Sequence, residues 1–300
     1  MKAIIIVLVG AISYGILSTI VKIAYAEGFT VQEVSGAQFG IATIIIWIIA
    51  FFKMKKQLSV VKPSQVVSLL LVGITSGLTG VFYYSSLQYV PASLAIILLF
   101  QFTWIGVVID SVVNQKKPTR ETIFSLIMLA IGTIFASELM GKQSGNIPFL
   151  GILFGLFSAI TYSLFVFFSG KVSQNVHSIL RSTFIITGAM ITVFIVYPPM
   201  FIFHQPTSYH LFFYGLLLAL FGPILPTLAF TYGVPKIGPG LATILGAAEL
   251  PTVLISSMLI LKETITPIQW LGVGMILLAI ALPQMKFLRH SKAICKKNPK

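Results

Sequence analysis

The chain has 300 residues, 57% hydrophobic and only 9% charged, with a mean hydropathy of +0.98. A soluble domain carries about 25% charged residues, so the composition excludes a water-soluble globular protein and points to an all-α polytopic membrane protein. The net charge of +13 would suit a nucleic-acid binder, but the basic residues sit in short loops between apolar stretches, so no nucleic-acid partner is expected.

A helix needs about 20 apolar residues to cross the hydrocarbon of a bilayer. Ten such stretches are predicted, over residues 3–25, 34–52, 65–88, 92–112, 121–138, 148–169, 178–201, 209–232, 240–261 and 267–287. The first begins after Lys2 and ends near Ala24-Tyr25-Ala26, which imitates a signal peptide. Residues 3–21 carry no charge, however, a longer run than the about 7–15 residues of a signal core, and the stretch is read as a retained first span. The connections are short, the longest being residues 53–64 and 140–147, and leave no room for a soluble domain.

With the N-terminus in the cytoplasm, sixteen of the 20 basic residues fall on inside segments and only Lys142 and Lys262 on outside loops, while Lys22 and Arg181 lie in span ends. This is the positive-inside pattern. It puts both termini in the cytoplasm of a multi-pass cell-membrane protein, facing anionic headgroups. Cys295, the one cysteine, lies in the basic tail and the four histidines show no ligand spacing, so no metal and no cofactor are expected.

Residues 69–129 lie over residues 217–277 without a gap, at a constant offset of 148, with Thr79/Thr227, Phe82/Phe230, Tyr84/Tyr232 and Pro91/Pro239 matched. The chain is thus divided into two five-helix halves, residues 1–140 and 147–288, followed by a basic cytoplasmic tail, residues 289–300. Five spans is an odd number, so the halves insert in opposite directions. The expected fold is ten transmembrane helices arranged as a 5+5 inverted repeat around a central cavity, an architecture of alternating-access transporters.

Of the seven acidic residues, six lie at or near the ends of apolar stretches and only Glu249 is deep. A carboxylate at bilayer depth costs at least ~2.5–3.5 kcal/mol and marks a substrate or ion path. Pro251, two residues on, removes a backbone donor and loosens the helix there. The offset sets Glu249 against Gln101, and Trp104 and Thr252 each follow by three residues on the same helix face. The third and eighth spans are expected to break at corresponding places, around Gly77 and Gly80 in one and Pro223 and Pro226 in the other. Tyr84 and Tyr232 adjoin those breaks symmetrically, and with Tyr14, Tyr83 and Tyr162 they are candidates to line a pocket. The substrate-binding set is therefore Glu249, Gln101, Trp104, Tyr84, Tyr232 and Thr252, with Gly77, Gly80, Pro223, Pro226 and Pro251 as break or gating residues. The competing reading is that these residues only kink or pack helices. Lys22 reads as a snorkelling or structural residue, and His177 with Arg181 as interfacial anchors, the alternative for that pair being contact with an anionic substrate.

Residues 240–282 run through small residues, Glu249-Leu250-Pro251, Leu261-Lys262-Glu263, Thr266-Pro267 and Gly272, and Gln101-Phe102-Thr103 with residues 115–120 repeats a weaker version. In this the chain resembles the EamA-type ten-span exporters of the drug/metabolite transporter superfamily. It departs from them at Leu250, which separates Glu249 from Pro251, and at Gln38, where a basic residue is often found. The resemblance implies a secondary active exporter of small metabolites, amino acids or related compounds, working by alternating access with a proton as candidate coupling ion. The alternative is export of drugs or other amphipathic solutes. The partners are then a small-molecule substrate and the lipid bilayer. An enzyme is not expected: the chain has a single Asp and one deep carboxylate, so it offers neither an aspartyl pair nor an Asp-rich metal motif. A non-transporting sensor would fill its middle with Leu and Phe.

Overall fold

The structure, a computed structural model, describes residues 1–90, 92–136, 148–199, 209–262 and 264–297. Among the described residues every regular element is helical: α1 (Lys2–Ala26), α2 (Val31–Leu58), α3 (Pro63–Leu87), α4 (Ala92–Phe100), α5 (Phe102–Asn114), α6 (Arg120–Ala136), α7 (Phe149–Lys171), α8 (Ser178–Val196), α9 (Tyr209–Ala219), α10 (Leu225–Ile237), α11 (Pro239–Gly246), α12 (Glu249–Ser256) and α13 (Pro267–Lys297). π-Helical turns occupy Leu220–Ile224 and Ser257–Leu261. The pairs α4–α5, α9–α10 and α11–α12 are interrupted single runs, so eight described segments are long and apolar enough to cross a membrane, while the apolar part of the last helix, Pro267–Leu282, is shorter. The expected span ends at 138 and 201, the loop of residues 140–147 with Lys142, and Pro91 and Glu263 lie outside the described residues. The backbone of residues 289–297 continues α13.

Local chemistry sets the element ends. Thr30 and Glu33 form a reciprocal capping box at the start of α2, the Thr30 hydroxyl accepting from the Glu33 N–H at 3.3 Å and the Glu33 carboxylate accepting from the Thr30 N–H at 2.7 Å. Pro63 sits in the first turn of α3, where its missing N–H costs nothing. Between α10 and α11 the chain turns on Gly238 at φ +87, a conformation that side chains strain to adopt.

The two halves pack through each other. α3 lies along α7 and α8, α1 along α10 and α12, α2 along α8 and α9, α5 along α11, and α6 along α13. The pairings recur when the halves are exchanged: α3 on α7 has its counterpart in α10 on α1, and α3 on α8 in α9 on α2. Small residues allow the close approach. A Cβ at Gly73 would strike the Ile185 carbonyl, and one at Gly77 would lie 2.8 Å from both the Ala189 carbonyl and the Thr192 side chain.

These contacts correct one expectation. The third span is not broken at Gly77 or Gly80, since α3 is continuous from Pro63 to Leu87. A glycine keeps its N–H and leaves the helical ladder intact, so Gly77 serves packing. The eighth span does break. Pro223 cannot donate, and the ladder widens into the π turn at Leu220–Ile224. Ser13 of α1 donates its hydroxyl to the Phe221 carbonyl at 2.8 Å within that turn.

Candidate functional site

The fourth and ninth runs are interrupted at places that fall within a residue or two of each other under the offset of 148. α4 stops at Phe100 and α5 starts at Phe102, so Gln101 is the break; α11 stops at Gly246 and α12 starts at Glu249. Across the second break the backbone tightens to three-residue bonds, Ala247 N–H to Ile244 O at 3.2 Å, Ala248 to Leu245 at 3.1 Å and Leu250 to Ala247 at 3.3 Å, and Pro251 donates nothing. The break lifts the Glu249 side chain out of a regular ladder and turns it into a cavity of about 770 Å³.

Residues of both halves line this cavity. Tyr14 of α1, Tyr83 of α3 and Tyr162 of α7 line it together with Glu249. Tyr14 and Tyr162 meet edge to face with centroids 6.0 Å apart. Beneath them Phe102, Phe165 and Phe230, all wholly buried, close the space, with the Phe102 ring 4.5 Å from that of Tyr162. In the other direction the lining climbs α1 through Lys22 to Tyr25 and α3 through Gly80 to Gln88. The cavity thus extends toward the end of the bundle that carries the α1–α2 turn, and no residue of α1 before Tyr14 lines it. Glu249 is half-buried, and among the described residues no hydrogen bond reaches its carboxylate. The hydroxyls of Tyr25 and Tyr162 and Oε1 of Gln38 are buried and likewise unpartnered there.

Of the residues expected from sequence, Glu249, Tyr84, Gly80 and Pro223 line the cavity, as do Tyr14, Tyr83 and Tyr162. The others are placed elsewhere. Gln101 donates to the Ile97 carbonyl at 2.9 Å and accepts from the Trp104 indole at 2.7 Å, and Trp104 is 47% exposed on the outside of the bundle. The expected convergence of Gln101 and Trp104 with Glu249 is therefore not found: the offset relates their heights in the fold but leaves the helix face open. Tyr232 also faces outward, with the Lys236 ammonium 3.4 Å from its ring centroid. Thr252 donates to the Ala248 carbonyl at 2.8 Å and packs on Gly15. Pro226 and Pro251 are buried, the first against Gly10, outside the lining.

The opposite end of the bundle is sealed by polar contacts. Arg181 is only 3% exposed; its guanidinium donates to the Thr231 carbonyl at 2.8 Å and to the Ser169 carbonyl, tying α8 to α10 and α7. It is a buried clamp rather than the interfacial anchor expected. His177 caps α8, its Nδ1 accepting from the Ile179 N–H at 3.3 Å. Asp110 accepts from the Gly240 N–H at 3.2 Å and from Asn114 at 2.5 Å, and Lys171 donates to Asn114 at 2.6 Å, joining α5, α11 and α7.

These features define a multi-pass helical membrane protein with a cavity lined by residues of both halves, Glu249 and several tyrosines among them, above a layer of phenylalanines. The family model of the EamA-like transporter family matches the chain twice, over residues 1–137 and 149–283, and the chain belongs to that family. It is similar in fold to a solved protein crystal structure, with a TM-score of 0.76 at 14% identity, covering 96% of this chain and 98% of the other. No curated protein matches it.

Proposed function

We propose that the protein is a ten-span secondary active transporter of the cell membrane that exports small amine-bearing metabolites, amino acids or related compounds, by alternating access. The observation that carries this reading is the Glu249 carboxylate: the one deep acid of the chain stands at a helix break, half-buried and without a hydrogen-bond partner among the described residues, in a cavity walled by both halves. A charge left in that state is stabilised by binding a cation or a proton. A substrate ammonium and a proton then compete for the same carboxylate, and that competition gives antiport without any covalent step. The tyrosines supply apolar area and hydroxyls for the rest of the solute. Positive-inside orientation places the α1–α2 turn outside, so the cavity faces outward, with the Phe102–Phe165–Phe230 layer and the Arg181 clamp closing the cytoplasmic side. Transport requires those contacts to part while the outer walls meet.

The test is uptake by proteoliposomes loaded with candidate amines under an imposed pH gradient. The charge-removing change Glu249→Gln should lower exchange by about 10–100-fold, the loss of a charge-assisted bond in a desolvated site, and should abolish its dependence on the gradient. Undiminished, still pH-dependent exchange in Glu249→Gln would remove the role assigned to this residue.

A further inference from the structure

The offset of 148 extends to α1 and α7, where it sets Tyr14 on Tyr162, and to α2 and α8, where it sets Gly40 on Gly188. A molecule with this internal symmetry should show each contact between its elements twice, once in either half's setting. α1 along α12 does answer α7 along α5. A group of contacts at the end closed by Arg181 has no such answer. There α10 lies along α7 and α8, and α11 along α5 and α7. Exchanging the halves turns these into α3 along α1 and α2, and α4 along α12 and α1. Among the described residues none of those pairs packs comparably.

The space left by the absent contacts is the cavity. Val21 of α1 and Tyr83 of α3 line it, as do Ile96 of α4 and Leu254 of α12. Both pairs correspond to places that are packed at the closed end. Val21 and Tyr83 stand where the other half has Ser169 and Thr231, whose carbonyls share the Arg181 guanidinium. Leu254 stands where the other half has Gly106, and a Cβ there would lie 3.1 Å from Cβ of Thr243. The counterpart of Thr243 is the chain neighbour of Ile96. The clamp itself is not repeated. Arg181 corresponds to Glu33, whose carboxylate accepts from the Thr30 N–H and has no proton to give a carbonyl. The empty molecule therefore rests open at the end without the clamp.

We propose that the second state of this protein is reached when the two halves exchange arrangements, and that the open mouth then shuts on two contacts, Val21 with Tyr83 and Leu254 with Ile96, while the Arg181 end parts. This rests on the transporter reading above and names the gate it requires. No new packing has to be invented for that state, because each half already displays the arrangement the other would take.

The test is cross-linking of the full chain in proteoliposomes with a methylene-bridged bis-thiosulfonate, in a Cys295→Ser background. One variant carries Val21→Cys with Tyr83→Cys, the other Ile96→Cys with Leu254→Cys. Mass spectrometry of the linked peptides should find both links. Each linked protein should lose pH-driven exchange of phenylalanine and phenethylamine and regain it on reduction. The Ile96–Leu254 pair removes no polar group from the cavity, so it decides the matter where Tyr83→Cys alone impairs exchange. Absence of the Ile96–Leu254 link in a protein that exchanges overturns the gate, and so does exchange that continues through the link. If wild type exchanges neither probe while both links form, the transport reading fails and the closure stands. If neither exchange nor linkage is seen, the two fall together.

Discussion

At the residue scale, charge in an apolar environment is the feature easiest to read from sequence. Glu249 was legible because acidic residues are few and the others stand at segment ends, so its cost had to be met by a cavity or a partner. Arg181 shows the limit of the same reasoning. Its position near a span end suggested an anchor, yet it is buried and spends its guanidinium on the carbonyls of Ser169 and Thr231. Arg181→Met should therefore strand two carbonyls and destabilise the protein by ~1–3 kcal/mol, seen as a lower melting temperature in detergent. A surface anchor would show no such change. Ser13→Ala should cost about 1 kcal/mol through the Phe221 carbonyl. Gln38 stood out in the sequence only by the resemblance, as an amide where a basic residue is often found, and nothing there tells a satisfied amide from an unsatisfied one. In the structure its Oε1 is buried without a partner among the described residues.

At the scale of the element, hydropathy placed the helix starts to within a few residues and Pro223 marked the break of the eighth span, but α2 and α13 run on past the expected ends at 52 and 287 to Leu58 and Lys297. What remained hidden was the facing of each helix. A span that is apolar on all sides gives no period from which to orient Gln101 and Trp104, and the structure turns that hydrogen-bonded pair away from the cavity. Glycine is equally ambiguous. The run Gly73, Gly77, Gly80 reads as a weak helix, yet α3 is continuous and the first two glycines are contact points against α8. Gly73→Val should consequently fail by overpacking, lowering stability by ~1–3 kcal/mol or more in thermal unfolding. Gly80→Ala, whose Cβ meets nothing within 4 Å, should be tolerated. Equal sensitivity at both positions would indicate that helix propensity rather than α3–α8 packing decides.

At the scale of the whole molecule stand a two-half bundle, a cavity that reaches one end, and a charge distribution from which the orientation is proposed. The orientation has a native reporter. Cys295, the one cysteine, should react with a membrane-impermeant maleimide in inverted vesicles and not in intact cells; the reverse would turn the protein over. The central claim is that a single cavity around Glu249 is reached alternately from the two sides. Gly80 faces that cavity with open space about it, so Gly80→Cys in a Cys295→Ser background reports access without disturbing the wall. An impermeant thiol reagent should label it from the outside in intact cells and from the cytoplasmic side in inverted vesicles, with an amine substrate protecting in both. Labelling from one side alone, under every condition of substrate and pH, would contradict the claim.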